Sequence, residues 1–321
     1  MTIALGPGPE FDRIRAITRA LGAQASGLGD DCAVLPPGEG AVCVSTDASV
    51  EGVHFRLDWI TLEEAGRRAA SAALSDLAAE GAAAEAVVVA LVSPLSATED
   101  ELVAVMRGVG SAAAAAGASV AGGDLARAGG GWTIAVTVLG RAARPVSRAG
   151  AAPGDTVWVT GALGGARAAL EAWQRGEPPA PAARRAFADP APRLEAGRWL
   201  AVHGARAMLD LSDGLGADAG HLAAASGVAI HLALELVPVH PATVPEAARL
   251  GVAVQQFAAE GGEDYELLVA LPGEFDEAGA RAFERAAGLA LTRVGRVARG
   301  RGVHAALAGR RLALRGYDHF R

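Results

Sequence analysis

The sequence predicts a two-domain protein of mixed class, α/β or α+β. Three observations carry this. The chain has 321 residues, 51% of them hydrophobic, which is enough for two ordinary cores. Helical and strand periodicities alternate along its length. A turn-rich passage, ArgAlaGlyAlaAlaProGlyAsp at 148–155, interrupts the pattern before a fresh strand. The boundary is placed there, giving an N-terminal domain over 1–147 and a C-terminal domain over 148–321.

The elements follow in order. Phe11, Ile14, Ile17 and Leu21 recur at helical spacing and predict a helix over 10–21. Residues 41–45 read as a buried strand that delivers Thr46 and Asp47 at its carboxyl end. A helix is expected over 62–79, where Leu62, Ala65, Ala69 and Ala72 lead in steps of three and four to Asp76. An aspartate is thereby placed on an alanine-lined, buried face, where a carboxylate needs a partner or a metal. Residues 87–92 read as a strand, 99–116 as a helix and 132–139 as a strand rich in β-branched residues. The second half begins with a strand at 156–160, a helix over 164–173, a Pro-rich loop at 177–181 and a strand at 207–211. A helix opens near Ser212, an apolar segment spans 228–236, and a late strand covers 267–271.

Composition removes whole mechanisms. All 29 basic residues are arginine and none is lysine, so P-loop, kinase-strand and Schiff-base lysines are excluded. The net charge of −7 argues against nucleic acid or an anionic membrane as the main partner. The N-terminus lacks a basic region followed by an apolar core, and the longest apolar stretch, 86–92, is too short to span a bilayer. With only Cys32 and Cys43 present, reduced thiols and a cytoplasmic location are expected.

Acidic residues stand beside glycine or small residues at six points: GlyAspAspCys (29 to 32), SerThrAspAlaSer (45 to 49), SerAspLeuAlaAlaGlu (75 to 80), GlyGlyAspLeu (122 to 125), LeuAspLeuSerAspGly (209 to 214) and GlyGlyGluAspTyrGlu (261 to 266). Any one of them reads as an Asx turn. Six together, with little local positive charge, suit the convergence of oxygen ligands on hard cations. Ser212 or Asp213 serves either as a helix N-cap or as a ligand, and a helix start also suits phosphate. ValThrGlyAlaLeuGlyGly (159 to 165) has the wrong spacing for a dinucleotide fingerprint and reads as a structural strand-to-helix turn. A lone loop histidine such as His54 is by itself unremarkable, and no HxxxH, CxxC or GxSxG pattern exists to suggest zinc or serine-hydrolase chemistry.

Taken together the motifs resemble the thiamine-monophosphate kinase family. To the six segments are added ValGluGlyValHisPhe (50 to 55), ArgAlaGlyAlaAlaProGlyAsp (148 to 155) and GlyTyrAspHisPhe (316 to 320), in family order along nearly the whole chain. The resemblance implies an aminoimidazole ribonucleotide synthetase-like fold, with an N-terminal α/β sheet domain that forms a homodimer and a C-terminal α+β domain. It implies transfer of the ATP γ-phosphoryl group to thiamine monophosphate, with several Mg²⁺ ions and no side-chain base. By position, Asp30, Ser45, Thr46, Asp47, Asp76, Asp124, Asp210 and Asp213 would be Mg²⁺ ligands. Gly123, Asp124, Arg148 and Ser212 would hold ATP, and His54, Glu263 and Tyr317 would face the thiamine part. The chain departs from the family in having alanine at 112–116, where an aromatic residue near the nucleotide is common.

The chemistry agrees with the resemblance. A phosphate acceptor is already ionised, so repulsion between polyanions is what must be overcome, and carboxylate-held Mg²⁺ can bridge it. Alternatives are another ATP-using enzyme of the superfamily and a catalytically silent Mg²⁺–nucleotide binder. Against selenophosphate synthetase, no cysteine precedes Cys32; against a hydrogenase-maturation protein, the chain ends TyrAspHisPheArg rather than in cysteine.

Overall fold

The computed structural model describes residues 9–24 and 38–317. Asp30, Cys32 and residues 318–321 lie outside the described residues. Two compact units result, one of residues through Leu77 together with Ala83–Ala143, the other of Ala78–Ala82 together with Arg144 onward.

The first unit contains α1 (Pro9–Leu21), β1 (Ala41–Val50), most of α2 (Leu62–Ala79), β2 (Ala83–Pro94), α3 (Glu99–Ala115), β3 (Ser119–Ala128) and β4 (Thr133–Ala142). Its strands form one sheet in the order β1-β4-β2-β3. The parallel pair β2–β3 is joined through α3, which starts at a reciprocal capping box between Thr98 and Glu101. Burial alternates along β4: Ile134, Val136 and Val138 are buried with Leu74 and Leu77 of α2 and Val105 and Val109 of α3. The opposite face stays open, and Val42 and Val44 of β1 are 56% and 60% exposed. This one-sided burial follows from the period of two.

β1 is longer than the hydrophobic run that predicts it. Ten consecutive residues pair with β4, from Ala41 opposite Ala142 to Val50 opposite Thr133. Ser45, Thr46 and Asp47 therefore sit in mid-strand, not at a strand end. Backbone pairing continues through polar residues because β1 is an edge strand, where polar side chains are tolerated.

The second unit contains β5 (Thr156–Thr160), α4 (Gly165–Gln174), α5 (Pro181–Ala188), α6 (Leu194–Val202), β6 (Ala207–Asp210), α7 (Leu215–Ser226), β7 (Ala229–Ala233), α8 (Thr243–Leu250), α9 (Val254–Ala259), β8 (Leu267–Leu271), α10 (Glu277–Ala287), β9 (Leu291–Ala298), β10 (Gly302–Leu307) and β11 (Arg310–Leu312). Its seven-stranded sheet runs β11-β10-β7-β9-β5-β8-β6. Leu215, Ala219, Leu222 and Ala223 of α7 share a core with Leu209, Ile230, Leu232 and Leu268. The short helices α5 and α6 lack side-chain caps; packing holds them, with Phe187 edge-on to Trp173 and Phe283 edge-on to Trp199. Among the described residues no helix is long and apolar enough to cross a membrane.

Candidate active-site residues

In the first unit, strand alternation directs Ser45 toward α2, where its hydroxyl donates to Asp76 Oδ2 at 2.5 Å. From Arg68 to Ala79, Asp76 is the one residue that is not buried. The predicted buried face is thus correct for its neighbours, while Asp76 itself is half-exposed and reaches β1. Asp47, two residues from Ser45, shares its face and accepts the Ala48 N–H at 2.8 Å. Thr46 points to the other face, its hydroxyl 2.5 Å from that of Thr137.

His54 lies in a tight turn in which the Val53 and His54 N–H groups both donate to the Val50 carbonyl. Its Nδ1 accepts the Val50 N–H at 3.0 Å, so in the neutral ring Nε2 carries the proton. Phe55, 1% exposed, anchors the turn.

Gly123 stands where β3 approaches β2 after a register shift between Val87 and Val88. A Cβ there would lie 2.1 Å from the Val89 carbonyl oxygen, so no side chain fits. One row of partners crosses the sheet from Asp47 through Val136 and Val89 to Gly123. Asp47 and the Gly123–Asp124 step therefore occupy opposite edges, about 14 Å apart at ~4.8 Å per strand. Within one chain, Asp124 is not brought beside Asp47, and one ion cannot bridge them.

The second unit assembles more of its residues. β6 ends at Asp210, and the chain passes through Ser212 and Asp213 to Gly214, the N-cap of α7. Neither Ser212 nor Asp213 is the cap. The GlyGlyGluAspTyrGlu segment runs alongside, with Tyr265 N–H donating to the Leu211 carbonyl at 2.9 Å and Glu263 N–H to the Ser212 carbonyl at 2.7 Å. This close approach requires glycine at 262, whose Cβ would lie 2.6 Å from the Ser212 oxygen. Glu263 and Tyr265 adopt φ values of +64° and +51°, strained for side-chain-bearing residues. On the other flank the Tyr317 N–H donates to the Asp213 carbonyl at 3.1 Å. Asp210, Ser212, Asp213, Glu263 and Tyr317 thus lie along one continuous strip. Arg148 does not join them: its carbonyl accepts from Ser226 at the far end of α7.

Asp218 was not singled out in the sequence. It accepts the Asp213 N–H at 3.1 Å and is 3% exposed. Burial, reinforced by the neighbouring charges of Asp213 and Asp210, pushes its carboxyl up to about 8. Asp213, Asp218 and His221 each present a ligand atom, all within 4.8 Å of one another. The signal was available, because Leu215, Asp218 and Leu222 fall at helical spacing on one apolar face, the pattern that marked Asp76.

Two further carboxylates of the 261–266 segment are structural. Both Asp264 oxygens accept the Gly164 N–H at 2.9 Å, and burial holds this carboxyl well above its ordinary range. The start of α4 is therefore occupied by a carboxylate from within the chain, in keeping with the structural reading of residues 159–165. Glu266 accepts from Thr160 at 2.6 Å and from Arg193 Nε and Nη2 at 2.9 and 2.6 Å.

Residues 29–142 match the AIR synthase related protein N-terminal domain, and residues 152–307 match the corresponding C-terminal domain. The thiamine-monophosphate kinase of Mycobacterium tuberculosis is 36% identical over 272 residues, covering 84% of this chain and 81% of the relative. The crystal structure of thiamine-monophosphate kinase from Stenotrophomonas maltophilia K279a superposes with a TM-score of 0.81 at 33% identity, covering 97% of this chain and 99% of the other. The structure of AaThiL complexed with AMPPCP and TMP superposes with a TM-score of 0.79 at 31% identity, covering 97% of each chain. Two AIR-synthase-related domains and relatives of this identity over most of its length establish that the chain belongs to the thiamine-monophosphate kinase family.

Proposed function

We propose that this chain transfers the γ-phosphoryl group of ATP to thiamine monophosphate, yielding thiamine diphosphate and ADP by Mg²⁺-assisted in-line displacement. The observation that carries this reading is the strip of Asp210, Ser212, Asp213, Glu263 and Tyr317 in a chain whose relatives bear this activity in their names. The relative complexed with AMPPCP, a non-hydrolysable ATP analogue, and TMP supports the substrate pair.

The donors present fit a hard cation. Oxygen ligands predominate, no lysine competes for them, and no cation is among the groups acting on buried Asp218. Asp30, Ser45, Asp47, Asp76, Asp124, Asp210 and Asp213 would hold Mg²⁺, with Thr46 contributing its backbone carbonyl because its hydroxyl is engaged by Thr137. When bound, the ions neutralise phosphate charge. Gly123 offers backbone to ATP where no side chain intrudes, Ser212 offers a hydroxyl, and Arg148 a planar fork of donors. Glu263, fixed by the Ser212 carbonyl, and Tyr317, fixed by the Asp213 carbonyl, suit the cationic rings of thiamine. His54, its ring oriented by the Val50 N–H on Nδ1, serves the same substrate. The acceptor is an ionised phosphate oxygen. Its electron pair forms the new O–P bond as the bond from the γ-phosphorus to ADP breaks, and no side-chain base is needed.

Residues 1–147 would form the ATP- and Mg²⁺-binding, dimerising domain of a cytoplasmic enzyme, and 148–321 the C-terminal domain. A homodimer through the open sheet face is supported by the exposure of Val42 and Val44 beside half-exposed Leu139. It would also bring the β1 edge of one copy to the β3 edge of its partner and so reunite the Asp47 and Asp124 positions.

The decisive experiment incubates the protein with ATP, Mg²⁺ and thiamine monophosphate and resolves thiamine diphosphate, ADP and free phosphate. Thiamine diphosphate should form in step with ADP and be lost in Asp47→Ala; ATP consumption without thiamine diphosphate would refute the reading. Mixing inactive Asp47→Ala and Asp124→Ala proteins should restore activity if the two residues act from different copies.

A further inference from the structure

The charge of this acidic chain is unevenly distributed. From Arg285 to Tyr317 there are eight arginines and no aspartate or glutamate, within a protein of net charge −7. The fold gathers part of this run onto one sheet face. Arg296 of β9 lies opposite His231 of β7, and His231 lies opposite His304 of β10. Arg311 of β11 lies opposite Ala306, two residues beyond His304 and hence on the same face. The two imidazoles stand 4.9 Å apart between ring centroids. Arg296, His304 and Arg311 are exposed and His231 is half-buried. Toward the sheet's centre this face is covered, with Trp158 edge-on to Phe275. The groups acting on His231 besides burial are Arg296, His304 and Arg311, with no carboxylate among them.

Arg296 and Arg311 bracket the two imidazoles, burial and these arginines favour the neutral form of His231, and with no acid among the groups bearing on it an anion lying across the row would offset the arginine charge. The strands set a row of nitrogen donors about 10–15 Å long with an arginine at each end. That length fits a compact chain of phosphates. Arginine forks suit phosphate oxygens, and the small neighbours Ala233, Gly302 and Ala306, none of them buried, leave the backbone surface open. No aromatic side chain is among these residues, so base stacking, which single-stranded nucleic acid uses, has no platform.

We infer that His231, Arg296, His304 and Arg311 form an oligophosphate-binding site on the face of the second unit's sheet opposite α7. It does not rest on the kinase reading, and none of its four residues belongs to the machinery proposed above.

The test uses the full-length protein in EDTA, so that no metal-dependent phosphate binding intervenes, with inorganic tripolyphosphate as probe. Imidazole ¹H–¹⁵N signals of His231 and His304 are followed alongside calorimetric affinity. Tripolyphosphate should shift both signals in a saturable manner, and Arg296→Ala/Arg311→Ala should weaken that binding about tenfold while leaving kinase activity unchanged. Because the double variant removes only exposed side chains, unchanged circular dichroism is expected of it. The inference is overturned if the imidazole signals do not move, if sodium chloride at matched ionic strength moves them equally, or if the double variant binds as tightly as the parent.

Discussion

Arg193→Met isolates the contribution of the ion pair beneath the 261–266 segment. The Glu266 side chain is 4% exposed and that of Arg193 28%. The substitution removes two of the three side-chain hydrogen bonds that Glu266 accepts, leaving only that from Thr160. Breaking a buried pair on one side costs ~3–5 kcal/mol, and the partial exposure of Arg193 favours the lower end, about 3 kcal/mol. With a urea slope of ~3 kcal/mol per molar for a chain of this size, the midpoint should fall by about 1 M, read by tryptophan fluorescence. The pH dependence has a definite sign. Burial holds Glu266 above its ordinary 4.5 although Arg193 opposes it, and removing Arg193 raises it further. A carboxyl with a higher pKa folded than unfolded binds its proton more tightly in the folded state. The deficit is therefore full above the raised folded value and shrinks as pH falls toward 4.5. Adding Glu266→Gln should restore most of the loss, because no buried charge then remains. An unchanged midpoint, or a deficit equal at ~pH 5 and ~pH 8, would refute the reasoning.

Three further outcomes follow from the site. In metal-free protein, Asp218 loses its folded-state proton only at about 8, so stability should decline as pH climbs from the ordinary carboxylate range toward 8, and Asp218→Asn should abolish that decline in urea titrations. Gly262→Ala should force the 261–266 segment away from Ser212, costing ~1–3 kcal/mol in denaturation and raising KM for thiamine monophosphate more than for ATP. Thr46→Val should cost about 1 kcal/mol through the lost bond to Thr137 and leave the Mg²⁺ dependence of the kinase assay unchanged; a shifted Mg²⁺ dependence would place that hydroxyl on a metal.

Local patterns carried much of this protein. Helix α2 and strand β8 have the bounds that periodicity predicts, residues 62–79 and 267–271, because each buries a face whose spacing is written in consecutive residues. The acidic motifs and their family are likewise legible, since coordination chemistry demands particular residue types whatever the fold around them. β1 was foreshortened because its second half is polar and its strand character comes from β4. The missed helices α5 and α6 are short, and their aromatic anchors find partners only in space.

The site divides in the same way. Sequence alone determined which residue types are available: six acidic motifs, no lysine, and an aspartate on the alanine face of α2. Only the tertiary structure decided which of them meet. It joined Ser45 to Asp76, Glu263 to Ser212 and Tyr317 to Asp213, recruited Asp218, turned the Thr46 hydroxyl toward Thr137, and set Asp47 and Gly123 at opposite sheet edges. The physical reason is that propensity and periodicity act over a few residues, whereas strand order and backbone hydrogen bonds between distant segments depend on the free energy of the whole chain.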